Sequence, residues 1–170
     1  MTRVISLVLA LVFARAALAQ RLVATTFPPM VKMRGLAGEW LGACSGSPML
    51  SGRTARIRYE SASGGQAVVE HLKIGDADEM VSVYHQEGDQ LMMTHYCSSN
   101  TQPRLRTREW PRDLSEFKLE FLDSTNILKA NWMNITYLKL EFPDATHLRQ
   151  IWKSHDPKES ATVVEVRRVR

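Results

Sequence analysis

The chain is 170 residues long, carries a formal net charge of +4, and is 44% hydrophobic and 24% charged. That balance fits one ordinary globular domain and excludes bulk disorder or a second large core. The positive charge gathers at the ends, in Arg3 and Arg15 and in Arg167, Arg168 and Arg170, so the body between is close to neutral and gives no reason to expect nucleic acid.

The first segment holds Arg3, an apolar run from Val4 to Phe13, and Ala17-Leu18-Ala19 before Gln20. This is the pattern of a secretory signal peptide with cleavage near Ala19, so the protein is expected to be secreted or periplasmic. No Cys follows the site, which argues against a lipid anchor. Beyond the leader no apolar run reaches the ~18 residues of a membrane helix. The expected organisation is a signal peptide over 1–19, a lead-in over 20–34 and one domain over 35–170. Phe27-Pro28-Pro29 breaks regular structure, and Met30 to Leu36 is expected to form a turn or two of helix.

From Trp40 onward short runs suited to strands recur between turn residues. They predict strands near 38–46, 53–61, 66–74, 79–86, 90–97, 104–110, 115–122, 134–142, 146–153 and 161–168. Several alternate with period two. Ala55, Ile57 and Tyr59 oppose Arg56 and Arg58. Phe117, Leu119 and Phe121 oppose Glu116, Lys118 and Glu120. Thr136, Leu138, Leu140 and Phe142 oppose Lys139 and Glu141. One apolar face per strand marks half-buried antiparallel pairing. Gly64-Gly65, Gly75-Asp76, Gly88-Asp89 and Pro143-Asp144 supply the tight turns. No long amphipathic helix interrupts the series, so parallel crossovers are not expected. The reading is all-β: an antiparallel up-and-down β-barrel of about 8–10 strands with a short N-terminal helix, because closure removes exposed edges. A two-sheet sandwich is the alternative.

Two cysteines, Cys44 and Cys97, form a candidate disulfide in an exported protein; the other reading is a pair of free thiols. No CxxC, HxxxH or HExxH spacing points to a metal.

Leu36-Ala37-Gly38-Glu39-Trp40-Leu41-Gly42 resembles the G-x-W opening of lipocalins and their calycin relatives. The run Glu79 to His85, then Glu87-Gly88-Asp89, then Leu91 to Cys97 resembles a hairpin in secreted bacterial lipocalin-like proteins of uncharacterised function, and Asn100 and Gln102-Pro103-Arg104 fit the same likeness. A second lipocalin signature of the T-D-Y type is not found. The resemblance implies a barrel in which a short helix precedes the first strand and the Trp closes one end.

A small barrel either fills its interior or keeps a cavity for one ligand. If Gly88-Asp89 is a two-residue turn, Glu87 pairs with Gln90 and Tyr84 with Met93. One hairpin face then carries Met80, Ser82, Tyr84, Leu91, Met93, His95 and Cys97, and this face is assigned to the interior. Trp40, Gly42 and Cys44 should point the same way. His95 is a candidate ligand contact, iron ligand or base. Tyr84 and Tyr96 offer hydroxyls. Glu70 points inward if Val68 and Leu72 do, and would then need an Arg or Tyr partner. Arg104, Arg106 and Arg108 line one strand face, either at a barrel mouth or in solvent. No G-x-S-x-G elbow or phosphate loop is found, so enzymatic activity is left open and unsupported.

The expected function is that of a binding protein holding a small, largely apolar molecule, with Trp40, Glu70, Tyr84, Met93, His95 and Tyr96 as candidate contacts and no cofactor. The alternatives are a haem or nitrogen-oxide barrel with a His axial ligand, and a ligand-free interaction module.

Overall fold

Alternating apolar and polar side chains let a strand bury one face and wet the other. Ten such runs form strands in a computed structural model that describes residues 26–109, 112–127, 133–155 and 161–169. The leader lies outside the described residues. A short helix, α1 (Pro28–Arg34), leads into β1 (Gly38–Ser45). Then come β2 (Thr54–Ala62), β3 (Ala67–Ile74), β4 (Met80–Glu87), β5 (Gln90–Tyr96) and β6 (Gln102–Arg106). The wall is completed by β7 (Glu116–Thr125), β8 (Ile135–Glu141), β9 (His147–Ser154) and β10 (Thr162–Arg168). Every pairing is antiparallel between sequence neighbours, and β10 returns to β1, so the sheet is a closed barrel. The expected barrel is therefore observed, not the sandwich.

The β4–β5 hairpin has the expected register, Glu87 opposite Gln90 and Tyr84 opposite Met93. Gly88 turns with φ +58°, a conformation a Cβ would strain. At one sequence run the expected alternation breaks. Phe117 and Leu119 are buried, but Phe121 is 41% exposed. The β6–β7 register shifts beside it, between Arg104 and Leu105. A bulge of this kind re-aims side chains that strict alternation would send inward.

The two ends of the barrel differ. α1 packs against β2, β3 and β4 and buries Phe27, Met30 and Met33. Their spacing puts them on one helix face. Trp40 is 1% exposed and donates its indole N–H to the Leu36 carbonyl at 2.8 Å. Arg168 of the last strand covers the Trp40 ring at 4.4 Å and donates to the carbonyls of Ala37 and Gly35. These contacts plug what we call the helix end. The opposite, loop end carries the turns after β1, β3 and β5 and the start of β8, where Leu50, Met80 and Ile135 are partly buried against the core.

Cys44 is buried, Cys97 is partly exposed, and both are free thiols. The candidate disulfide is corrected by the topology. β2, β3 and β4 separate β1 from β5 around the ring. At ~4.8 Å per strand step, the two Cα atoms lie beyond the ~7 Å that a bridge spans.

Candidate functional site

Among the described residues, the polar side chains buried within strands fall along one band, while Ser47, Thr101, Thr107 and Asn134 are buried in the connections. Tyr59 of β2, Glu70 of β3, Ser82 and Tyr84 of β4, His95 of β5, and Gln150 and Trp152 of β9 form the band, and each is buried. Strand alternation puts each of them inside. Ring closure then brings β9 to face β2 and β3 across the lumen.

Glu70 is the hub and is 0% exposed. Its Oε2 accepts from Tyr59 Oη at 2.5 Å, Gln150 Nε2 at 2.8 Å and Tyr84 Oη at 3.0 Å. Its Oε1 meets Ser82 Oγ at 3.5 Å. Gln150 Nε2 also donates to Tyr59 Oη at 2.8 Å. The amide orientation is set from behind: Trp152 Nε1 is only a donor, and it reaches Gln150 Oε1 at 2.8 Å. Ser82 Oγ lies 2.9 Å from His95 Nδ1. The His95 and Trp152 rings are 5.0 Å apart and tilted by 47°.

Charge follows from burial. Burial pushes the Glu70 carboxyl up from its ordinary range, and its four donors oppose that only in part. Burial, then the adjacent Glu70, pushes the Tyr59 and Tyr84 phenols well up. Burial lowers His95 to about 4, so its imidazole is neutral at pH 7. Glu70 and His95 are the acid and the base of the buried set among the described residues, with no buried Lys or Arg beside them.

This geometry suits proton sharing better than nucleophilic attack. In a Ser–His–Asp arrangement the carboxylate orients the imidazole. Here the carboxyl meets the serine, and Ser82 is 1% exposed.

Of the sequence candidates, Glu70, Tyr84 and His95 come together, with Ser82 as the link. The inward carboxyl finds tyrosines, as the sequence required. Met93 is fully buried next to Tyr84 in register. Trp40 is interior but belongs to the helix end. Tyr96 is 51% exposed and falls on the outer face, because it follows His95 by one residue. Arg104, Arg106 and Arg108 are exposed as well; Arg104 pairs with Asp123 and Arg108 with Glu120. Tyr59, Gln150 and Trp152 were not singled out from the sequence. Their signal was a polar or hydroxyl-bearing residue at an inward position.

For haem, His95 is the one buried histidine of five. Its Nδ1 contact with Ser82 leaves Nε2 to ligate, but its ring lies against Trp152. No interior cation stands ready for propionates among the described residues. No group of three or more metal-ligating side chains is found among them either. The fit is poor. A groove of about 500 Å³ lies on the outer wall, beside Leu41, Pro143, Asp144 and His147, and shares no residue with the interior band. No described helix is long and apolar enough to cross a membrane.

No family model matches the chain. No curated protein matches it. A solved structure from Nostoc punctiforme, a protein of unknown function from the DUF3598 family, is similar over 81% of this chain with a TM-score of 0.55 and 13% sequence identity. The chain spans about half of that protein, 49% of its length. At that identity the likeness concerns the fold: a closed antiparallel ten-strand barrel.

Proposed function

We propose that this protein is an exported binding protein whose barrel holds one small, largely apolar molecule beside the Glu70–His95 band. The observation that carries the reading is the band itself. A buried carboxyl without a cation costs several kcal/mol, and apolar residues of similar volume would often be neutral or stabilising. A few placed polar groups in an otherwise apolar interior are what a small-molecule site needs. The ends support the same direction of entry. The helix end is plugged by Trp40, Met30 and Met33, whereas His95, Ser82 and Trp152 lie within two residues of strand termini at the loop end.

The test is native mass spectrometry with an absorbance scan on protein taken from its own compartment without refolding. A co-purifying small-molecule mass is expected, with no Soret band. An empty barrel that no compound of an amphiphile panel stabilises against heat would overturn the reading and leave the interaction module. Export is checked on the same sample, whose N-terminus should be Gln20.

A further inference from the structure

The two oxygens of Glu70 are treated unequally. Oε2 takes three donors, while Oε1 meets only the Ser82 hydroxyl at 3.5 Å. Ser82 in turn is 2.9 Å from His95 Nδ1. His95 Nε2 makes no hydrogen bond to any described residue, and it is not among the fully enclosed polar atoms that lack a partner. The far end of the imidazole is thus the open end of a three-residue chain.

Two proton arrangements fit these heavy atoms, and they contain the same number of protons. In the first, Glu70 Oε1 is protonated, Ser82 donates to Nδ1, and the imidazole is neutral with its proton on Nε2. In the second, Glu70 is a carboxylate held by three donors on Oε2. Ser82 then donates to Oε1, and His95 is an imidazolium that donates from both nitrogens. The groups facing the pair are Tyr59 from β2, Tyr84 from β4, and Gln150 and Trp152 from β9. None is a cation, so an arriving negative charge is the partner that favours the second arrangement.

We propose, on the reading that the barrel binds a small ligand, that His95 Nε2 anchors the acidic group of a small weak acid with an apolar body, and that Glu70 supplies the proton through Ser82. The Glu70 Oε1–H bond breaks as its proton passes to Ser82 Oγ. The Ser82 proton passes to His95 Nδ1. The Nε2–H then donates to the ligand's carboxylate. No proton enters or leaves the complex, so affinity for an ionised acid is insensitive to pH. A neutral molecule gains one hydrogen bond and does not move the proton.

The experiment is calorimetric titration with benzoate and benzyl alcohol between pH 6 and 8. Wild type should bind benzoate with a dissociation constant that stays flat within about threefold. Glu70→Gln has no proton to give, so its benzoate affinity should fall about tenfold per pH unit. Benzyl alcohol should bind more weakly and without pH dependence in both. Ser82→Ala keeps both titrating groups, removes the link, and should weaken benzoate about tenfold with benzyl alcohol unchanged. This variant carries the test if Glu70→Gln does not fold. A wild-type benzoate affinity that itself falls tenfold per unit overturns the inference, as does a flat profile in Glu70→Gln. Benzyl alcohol bound as tightly as benzoate overturns it and leaves the binding reading standing. So does failure of both probes on a barrel whose native mass shows another occupant. Failure of both on an empty barrel overturns the two together.

Discussion

Replacing Glu70 by Leu removes the acceptor for three buried donors: Tyr59 Oη, Tyr84 Oη and Gln150 Nε2. The two phenols are left without an acceptor, at about 1–3 kcal/mol each, while Gln150 Nε2 keeps Tyr59 Oη. Relief of the buried carboxyl and added apolar burial offset part of that, so a net loss of about 2–4 kcal/mol is expected. Tyr84 isolates the effect of the carboxyl. Its hydroxyl has Glu70 as its hydrogen-bond partner and is fully buried. In the native background Tyr84→Phe removes a donor from the carboxyl and should cost about 1–2 kcal/mol. In the Glu70→Leu background the same change removes an orphan and should be neutral or stabilise by about 1 kcal/mol. The double-mutant cycle should therefore show a coupling of about 1–3 kcal/mol. Urea unfolding of the four proteins, followed by circular dichroism, measures it. If Tyr84→Phe costs the same in both backgrounds, the hydroxyl does not depend on Glu70 and the band is not the cooperative unit described above.

His95 makes stability depend on pH. Its folded value is lowered to about 4 from the ordinary 6.5, so the unfolded chain binds more protons between those values. The stabilisation is whole above 6.5 and is lost as pH falls toward 4, by about 3 kcal/mol. His95→Gln should flatten that limb of a urea-midpoint profile, and an unchanged slope counts against a neutral buried His95. Glu70, raised in the fold, acts with the opposite sign: its contribution is present at low pH and is lost as pH rises through its folded value. At Gly42 an added Cβ would sit 1.8 Å from the Glu165 carbonyl oxygen. Gly42→Ala should therefore force β1 and β10 apart and cost at least about 2 kcal/mol, seen as a fall in melting temperature of about 4–8 °C. Both thiols are free, so a non-reducing mass of the purified protein should show two reduced cysteines. A thiol reagent should label Cys97 in the native state and buried Cys44 only on unfolding.

The wall was legible because its rule is local. Alternation and turn residues place each strand within two residues of its observed limits, apart from the ends of β6 and β7. The hairpin register follows from Gly88-Asp89 alone. Parity also put Glu70, Tyr84 and His95 inside. What was not legible depends on closure. Gln150 lies 80 residues along the chain from Glu70, and no periodicity connects them; only the return of β10 to β1 brings β9 across the lumen. The cysteines failed for the same reason in reverse: a pair suggests a bond, but the ring holds β1 and β5 apart. Phe121 failed because it borders the bulge where the β6–β7 register slips, and strict alternation does not hold there.

The closed ring also decides where variation can act. A continuous ladder leaves no gap between strands, so a molecule reaching His95 must enter by an end. At the helix end it would meet Trp40 beneath the Arg168 guanidinium, then Met30 and Met33, all buried. Opening that end breaks an indole bond, two arginine bonds and the packed face of α1. The loop end asks for less. Ser82, His95 and Trp152 sit close to strand termini, where the connecting turns set side-chain access without altering the ladder. Changes in the turns after β3 and β5 should therefore alter what reaches His95 while Glu70 and its three donors, deeper in the wall, stay as they are.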